Sequence, residues 1–310
     1  MRLCRFQRDD HVEVGFYDDH FVVPLSTASH TVGIDLPTTD ELLSLLPGGV
    51  HRAELEKVQE AWQTLPADRR AEFQIPLQEI QLRVPVAQPG KLLLLAGNYS
   101  KHIEEGGGNA VVRAQTFPYV FMKPIATTLT HPGDPVKIPA ISPDHIDWEI
   151  ELGVVIGRTC SGVTEAKALD YVAGYTVVND ISDRQFRPFP NRVERKKDAF
   201  FDWLHGKWHD TFCPVGPCLL PADEVPDPQQ LQLTLRLNGN VEQEASASEM
   251  IFPVSAVVAF ISSYVTLQPG DIISTGTPAG VGSSKGKFLK RGDVLDAEIS
   301  RIGVLQNPVE

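Results

Sequence analysis

No apolar run in this sequence approaches the roughly 20 residues that a membrane-spanning helix needs. The stretch Met1 to Asp10 also lacks the apolar core of a secretory signal. Cations are in short supply: 28 Lys and Arg stand against 40 Asp and Glu, a net charge of −12. That deficit excludes nucleic acid and anionic membrane as partners, because both demand a basic footprint. The single basic run, Arg192 to Lys197, is broken by Val193 and Glu194 and reads as a solvated loop. Cysteines are few. Cys4, Cys160, Cys213 and Cys218 match neither a disulfide framework nor a paired zinc pattern, and Cys213 and Cys218 are five apart across Pro214 and Pro217. Reduced thiols in a cytoplasmic protein are expected. Internal repeats and low-complexity segments are absent too. What remains is ordinary globular composition, 42% hydrophobic and 22% charged, in a chain of 310 residues long enough to bury a large core.

The most informative stretch runs from residue 144 to 184. Apolar residues alternate through Ile146, Trp148, Ile150, Leu152, Val154 and Ile156, the period of a half-buried strand. Asp147, Glu149 and Glu151 then share the opposite face, with same-face neighbours roughly 6–7 Å apart. Carboxylates so placed repel, and burial makes each charge costlier. Solvent, a protonated partner or a cation would each relieve the strain. A second apolar strand, Tyr175 to Val178, ends at Asn179-Asp180 and delivers another carboxylate. An all-oxygen cluster without Cys or His suits Mg²⁺, Mn²⁺ or Ca²⁺ rather than zinc. Glu149, Glu151 and Asp180 are therefore the expected divalent-metal ligands.

Along the chain, residues 1 to about 35 read as short strands. Thr38 and Glu41 have capping-box spacing, predicting a short helix through Leu46 that Gly48-Gly49 stops. A second helix is expected from Arg52 to Leu65, its Leu55, Val58, Trp62 and Leu65 on one face. Pro66, Pro76, Pro85 and Pro89 mark a boundary, giving a small N-terminal domain over 1–85 and a main domain over 86–310. The apolar strand from Lys91 to Ala96 feeds His102 and Glu105, which share a face on a helical turn. A carboxylate on one imidazole nitrogen raises the basicity of the other, which prepares a general base. Gly106 to Gly108 supplies hinge freedom for a lid carrying the pair. Lys123 is suited to a substrate anion or to snorkelling at a strand end. Residues 185–202 read as a long surface loop, with Arg184 and Arg187 as anion contacts. His205 and His209 are four apart, but Gly206 takes the place of a zincin's glutamate and no helix is expected there, so zinc is not expected. Asn238-Gly239 predicts a tight hairpin, and residues 253–265 an apolar-faced helix. Gly282 to Gly286 matches Gly-x-Ser-x-Gly without the strand that a nucleophile elbow requires directly before it. The glycine-rich loop is instead expected to bring N–H groups near Gly276 and Thr277 to a ligand oxygen.

Five motifs in order resemble the fumarylacetoacetate hydrolase family: Gly97-Asn98-Tyr99 with His102 and Glu105; Asp147 to Gly157; Val178 to Arg184; Lys207 to Pro217; and Pro269 to Gly282. The likeness covers about residues 91–307. It implies an α+β, mainly β fold, with a mixed β-roll or barrel catalytic domain, short helices and a small N-terminal α+β domain. A homodimer is implied as well. Members hydrolyse carbon–carbon bonds in 1,3-diketo acids, or isomerise, decarboxylate or hydrate related 2-oxo acids of aromatic or sugar-acid catabolism. Carried over residue by residue, Glu149, Glu151 and Asp180 hold Mg²⁺ (or Mn²⁺ or Ca²⁺), and His102, Glu105 and Lys207 are catalytic. The family's substrate-contacting threonine falls on Thr277, and Tyr99, Lys123, Arg184, Arg187 and Gly276 are expected beside it as substrate-binding residues. Asp183 stands where the family has a small residue and Arg187 where it has glutamine. The implied reaction is hydrolysis of an acylpyruvate-like diketo acid through a metal-held enolate. An isomerase or decarboxylase on the same site, and a metal-binding scaffold without turnover, are the alternatives.

Overall fold

The computed structural model describes residues 1–310. Twelve strands join in one large mixed sheet and four more in a second. At the N-terminal end of the large sheet, Phe21–Pro24, His11–Tyr17 and Arg2–Arg8 run antiparallel. Arg2–Arg8 meets Cys213–Pro221 where Leu3 faces Leu219. The order continues through Val172–Asn179, Ile150–Ile156, Ile272–Ser274, Leu92–Ala96 and Tyr119–Met122, which ends the sheet. Ile272–Ser274 runs parallel to Leu92–Ala96, while the pairs flanking it are antiparallel. The second sheet holds Asn240–Ser246, Gln232–Leu237, Val294–Ile299 and Gly303–Pro308 in that order. Asn238 and Gly239 both adopt positive φ, which lets a two-residue turn match the strand twist.

Two apolar cores flank the central strands. The first gathers Trp148, Ile150, Leu152 and Val154 with Leu233, Leu235, Val257 and Ile261 from the second sheet and the helix Val254–Ser262. The second joins Leu45, Leu55, Val58 and Trp62 of the N-terminal region to Leu92, Leu94, Val155, Val215 and Leu219. Prolines do mark an irregular stretch near residue 85, yet this core crosses it.

The sequence reading needs four corrections here. The acidic segment is not one half-exposed strand. Pairing breaks at Trp148-Glu149, leaving Ile146–Asp147 and Ile150–Ile156, and every residue from Ile146 to Ile156 is buried. Burial on both faces follows from a sheet covered on each side. The helix expected after Thr38 is only a single turn, Leu43–Leu45, because the Thr39 hydroxyl accepts the N–H of Glu41 and closes a local turn. The loop expected over 185–202 gives way to a helix, Asp198–His205, whose entry is fixed by Arg192 and Arg195 on Asp198. A further helix, Leu25–Val32, has weak sequence signals and is held by tertiary packing.

Candidate active site

The break at Trp148-Glu149 has a local cause. Asp147, fully buried, accepts the N–H groups of Trp148, Gly282 and Ser283 and the Nε–H of Arg184. That turns the chain so that Glu149 and Glu151 approach the strand end at Asn179-Asp180. Asn179 accepts the Glu149 N–H at 3.0 Å, and the Asp180 N–H donates to the Glu149 carbonyl at 2.9 Å. One oxygen from each of Glu149, Glu151 and Asp180 lies within 4.8 Å of the others.

The cations around this cluster are unevenly shared. Lys207 Nζ bridges Glu149 Oε2 at 2.8 Å and Asp180 Oδ2 at 2.6 Å. Arg184 pairs with Glu149 Oε1 and Asp147 Oδ2, and Lys123 with Asp180 Oδ1. Glu151 has no cation. Its Oε2 accepts from Ser274 Oγ and the Gly276 N–H, while Oε1 is buried with no partner. Four carboxylates, counting Asp147, thus face three cations. Burial works against charge throughout, but its outcome differs by residue. Glu149 is held well below the usual carboxylate range because the charges of Arg184 and Lys207 outweigh burial. Glu151 is pushed well above it by burial and then by the charges of Asp180 and Glu149. A buried Glu151 oxygen without a partner, in a residue whose carboxylate meets two others, fits a hard divalent cation, and the all-oxygen donor set agrees.

His102 and Glu105 lie on the helix Ser100–Glu105, with His102 Nδ1 2.8 Å from Glu105 Oε1. Glu105 Oε2 accepts the Gly280 N–H at 2.8 Å, which docks the helix on the glycine loop. Burial would raise the Glu105 carboxyl, but hydrogen bonds from His102, Gly280 and Ser284 bring it below its ordinary value. The same loop that holds Glu105 through Gly280 holds Glu151 through the Gly276 N–H, so dyad and cluster are tied to one loop. The Glu105 carboxylate fixes the proton on Nδ1 and leaves Nε2 as the basic nitrogen.

The expected substrate contacts are mostly committed to internal bonds. Lys123 is 2% exposed and donates to the carbonyls of Ile181 and Phe212, so it holds Asp180 rather than open space. Arg184 is engaged by Asp147 and Glu149. The Gly276 N–H is spent on Glu151, and the Thr277 hydroxyl donates to the Ile150 carbonyl at 2.9 Å. Arg187 pairs with Glu194 on the surface and is not brought into the cluster. Tyr99 is 2% exposed, and its hydroxyl has no partner. Asp183 lies 3.4 Å from His209 Nε2, whose ring packs against Phe186 and Phe212. His205 closes the helix Asp198–His205, so the two histidines form no metal pair. The sequence placed Asp147 and Asn179 beside the ligands without a role for either, and it gave no signal for Ser274 or Gln243, polar residues whose spacing is that of any strand or turn.

The family model described as fumarylacetoacetate (FAA) hydrolase C-terminal matches residues 91–310. A 2,4-didehydro-3-deoxy-L-rhamnonate hydrolase from Sphingomonas sp. (strain SKA58) is 42% identical over 240 residues, 76% of this chain and 79% of its own. Oxaloacetate tautomerase fahd2, mitochondrial, from Xenopus laevis is 39% identical over 232 residues, covering 74% and 68%. Among solved structures, maleylpyruvate hydrolase from Sphingobium sp. SYK-6 in complex with manganese (II) ion and pyruvate superposes with a TM-score of 0.73 at 28% identity, over 100% of this chain and 98% of that one.

Proposed function

Because the chain belongs to the fumarylacetoacetate hydrolase family, we propose that it is a divalent-metal-dependent hydrolase cleaving a carbon–carbon bond in an acylpyruvate-like 1,3-diketo acid. The observation that carries the reading is the His102–Glu105 dyad docked on the same loop as a carboxylate cluster in which Glu151 Oε1 has neither a hydrogen bond nor a cation. Isomerisation or tautomerisation needs no activated water, whereas hydrolysis does. A divalent cation, Mg²⁺ or Mn²⁺, held by Glu149, Glu151 and Asp180 would supply Lewis acidity toward the carboxylate and oxo oxygens of a 2-oxo acid. The manganese and pyruvate named for the Sphingobium structure support that ligand class.

The chain's own residues supply the rest. His102 Nε2 takes a proton from water, and Glu105 stabilises the imidazolium that results. Hydroxide adds to the distal carbonyl carbon, and Lys207, with its charge held by Asp180 and Glu149 against the pull of burial, balances the negative oxygen that develops. The carbon–carbon bond breaks toward the 2-oxo acid, which departs as an enolate and takes at carbon the proton that His102 removed from water, returning the imidazole to its neutral form. Atoms balance as diketo acid plus water giving a carboxylic acid and a 2-oxo acid. In this arrangement residues 1–85 form a small N-terminal unit that closes the second core of the 86–310 catalytic unit. The test is direct: with Mg²⁺, an acylpyruvate should yield pyruvate stoichiometrically. The tautomerase relative favours a second reading, in which enol oxaloacetate converts to its keto form and acylpyruvates stay intact. That outcome would replace the hydrolase reading.

We also infer a homodimer. Tyr119–Met122 is an edge strand, and an aromatic groove of about 630 Å³ lies along it, lined by Phe117, Tyr119, Phe200, Trp203, Phe260 and Tyr264. Phe117 and Tyr119 are 59% and 65% exposed. An uncovered edge beside apolar surface is a pairing template, and a second copy offers the same edge about a two-fold axis. Light scattering should give twice the 34.1 kDa of one chain. Phe117→Ser with Tyr119→Lys should halve that mass; a wild-type monomer at tens of micromolar would remove the inference.

A further inference from the structure

Several parts of the site end on one side chain from the other sheet. Gln243, on Asn240–Ser246, is 1% exposed. Its Oε1 accepts the N–H of Ile150, the residue between Glu149 and Glu151, at 3.0 Å. Its Nε2 donates to Thr277 Oγ1 and to the Pro278 carbonyl, each at 2.8 Å. The Thr277 hydroxyl in turn donates a hydrogen bond to the Ile150 carbonyl. Amide and hydroxyl thus close a buried ring around the peptide groups of Ile150. The neighbouring Glu242 completes the support. Gly280 has φ of +106°, and a Cβ built there would stand 2.2 Å from the Glu242 carbonyl oxygen, so the loop lies directly on this strand. At one end of that loop the Gly276 N–H holds Glu151, and at the other the Gly280 N–H holds Glu105.

We propose that Gln243 is a positioning residue that sets the metal-ligand strand and the loop 276–280 in a common register, and so fixes the carboxylate cluster relative to the dyad. This rests on the role given to those residues under Proposed function. The amide is well suited to the task. It uses both N–H donors and an oxygen lone pair at a site where water cannot substitute. An apolar side chain of equal length would leave the Ile150 N–H and the Pro278 carbonyl unpaired in the interior. The loop would then shift, and with it Gly276 and Gly280. Such outer partners of metal ligands commonly tune affinity by about 10–100-fold.

The experiment compares Gln243→Met, Gln243→Glu, Thr277→Val and the Gln243→Met/Thr277→Val double variant. Mn²⁺ affinity is measured without substrate by electron paramagnetic resonance, and kcat and KM with an acylpyruvate. Gln243→Met should bind Mn²⁺ about 10-fold more weakly and lose about 10–100-fold in kcat, with a smaller change in KM. Gln243→Glu should fall between it and the wild type, since a neutral carboxyl keeps the acceptor and one donor. The double variant should be no worse than the poorer single variant, because both break the same ring. Wild-type Mn²⁺ affinity in a folded Gln243→Met, or losses that multiply in the double variant, would overturn the proposal. Should Gln243→Met fail to fold, Gln243→Glu decides: unchanged Mn²⁺ affinity there overturns it and a partial loss supports it. Absence of wild-type turnover on any diketo acid would strike the reaction reading alone, while the Mn²⁺ series still judges Gln243.

Discussion

Glu151→Ala is expected to yield a folded protein that neither binds Mg²⁺ nor turns over a diketo acid. Glu149 and Asp180 already share Lys207, and Arg184 and Lys123 take their other oxygens. Glu151 is the one ligand whose charge no side-chain cation answers, and its Oε1 is the orphaned atom. Removing it leaves two carboxylates matched by lysine and arginine, with no electrostatic reason to retain a dication. The stability readout carries a sign. In the metal-free wild type Glu151 sits under repulsion from Asp180 and Glu149. The isosteric Glu151→Gln relieves that repulsion, so without metal it should melt no lower than the wild type. Mg²⁺ should raise the melting temperature of the wild type and leave the variant unmoved, since only a ligand bound to the native state stabilises it. Full activity in Glu151→Ala would refute the metal assignment outright.

His102→Ala should keep Mg²⁺ affinity and lose hydrolysis by about 10²–10⁴-fold in kcat, the range for removal of a positioned general base. The two effects separate because the side-chain partner of His102 is Glu105, not a metal ligand. Glu105→Gln should cost less, since an amide still accepts from Nδ1–H but no longer balances the imidazolium. A second effect is expected in Glu105→Gln. The Gly280 N–H retains its partner only if the amide oxygen turns toward it, so His102 and Gly280 compete for one acceptor. Isothermal titration with Mg²⁺ and steady-state kinetics on the same preparations decide the point. Loss of metal binding in His102→Ala would mean that the dyad and the cluster are one unit.

The cluster was legible because its signal is local. Glu149 and Glu151 are two apart, Asp180 ends an apolar strand, and His102 and Glu105 are three apart on a helical turn. The glycine pattern and the hairpin at Asn238-Gly239 were legible for the same reason. What escaped was set by partners distant in sequence. Nothing in Asp147-Trp148-Glu149 announces a broken strand, because the break is made by N–H groups from Gly282 and Ser283. Lys123 reads as an anion contact until Ile181 and Phe212 claim its ammonium. Gly276 offered an N–H to a ligand on paper, and Glu151 takes it. The helix Asp198–His205 was hidden within a polar stretch, since its Trp203 packs against Phe121, a partner distant in sequence. Gln243 carried no signal at all: a glutamine on a strand becomes informative only when the opposite sheet is in place.

The meeting of Leu3 with Leu219 has a consequence for anyone trimming this chain to its catalytic part. Excising residues 1–85 would strip the strand Arg2–Arg8 from Cys213–Pro221 and break the core that Val155, Val215 and Leu219 share with the N-terminal leucines and Trp62. A shortened protein of that kind should precipitate or bind a hydrophobic dye, whatever its carboxylates can still hold.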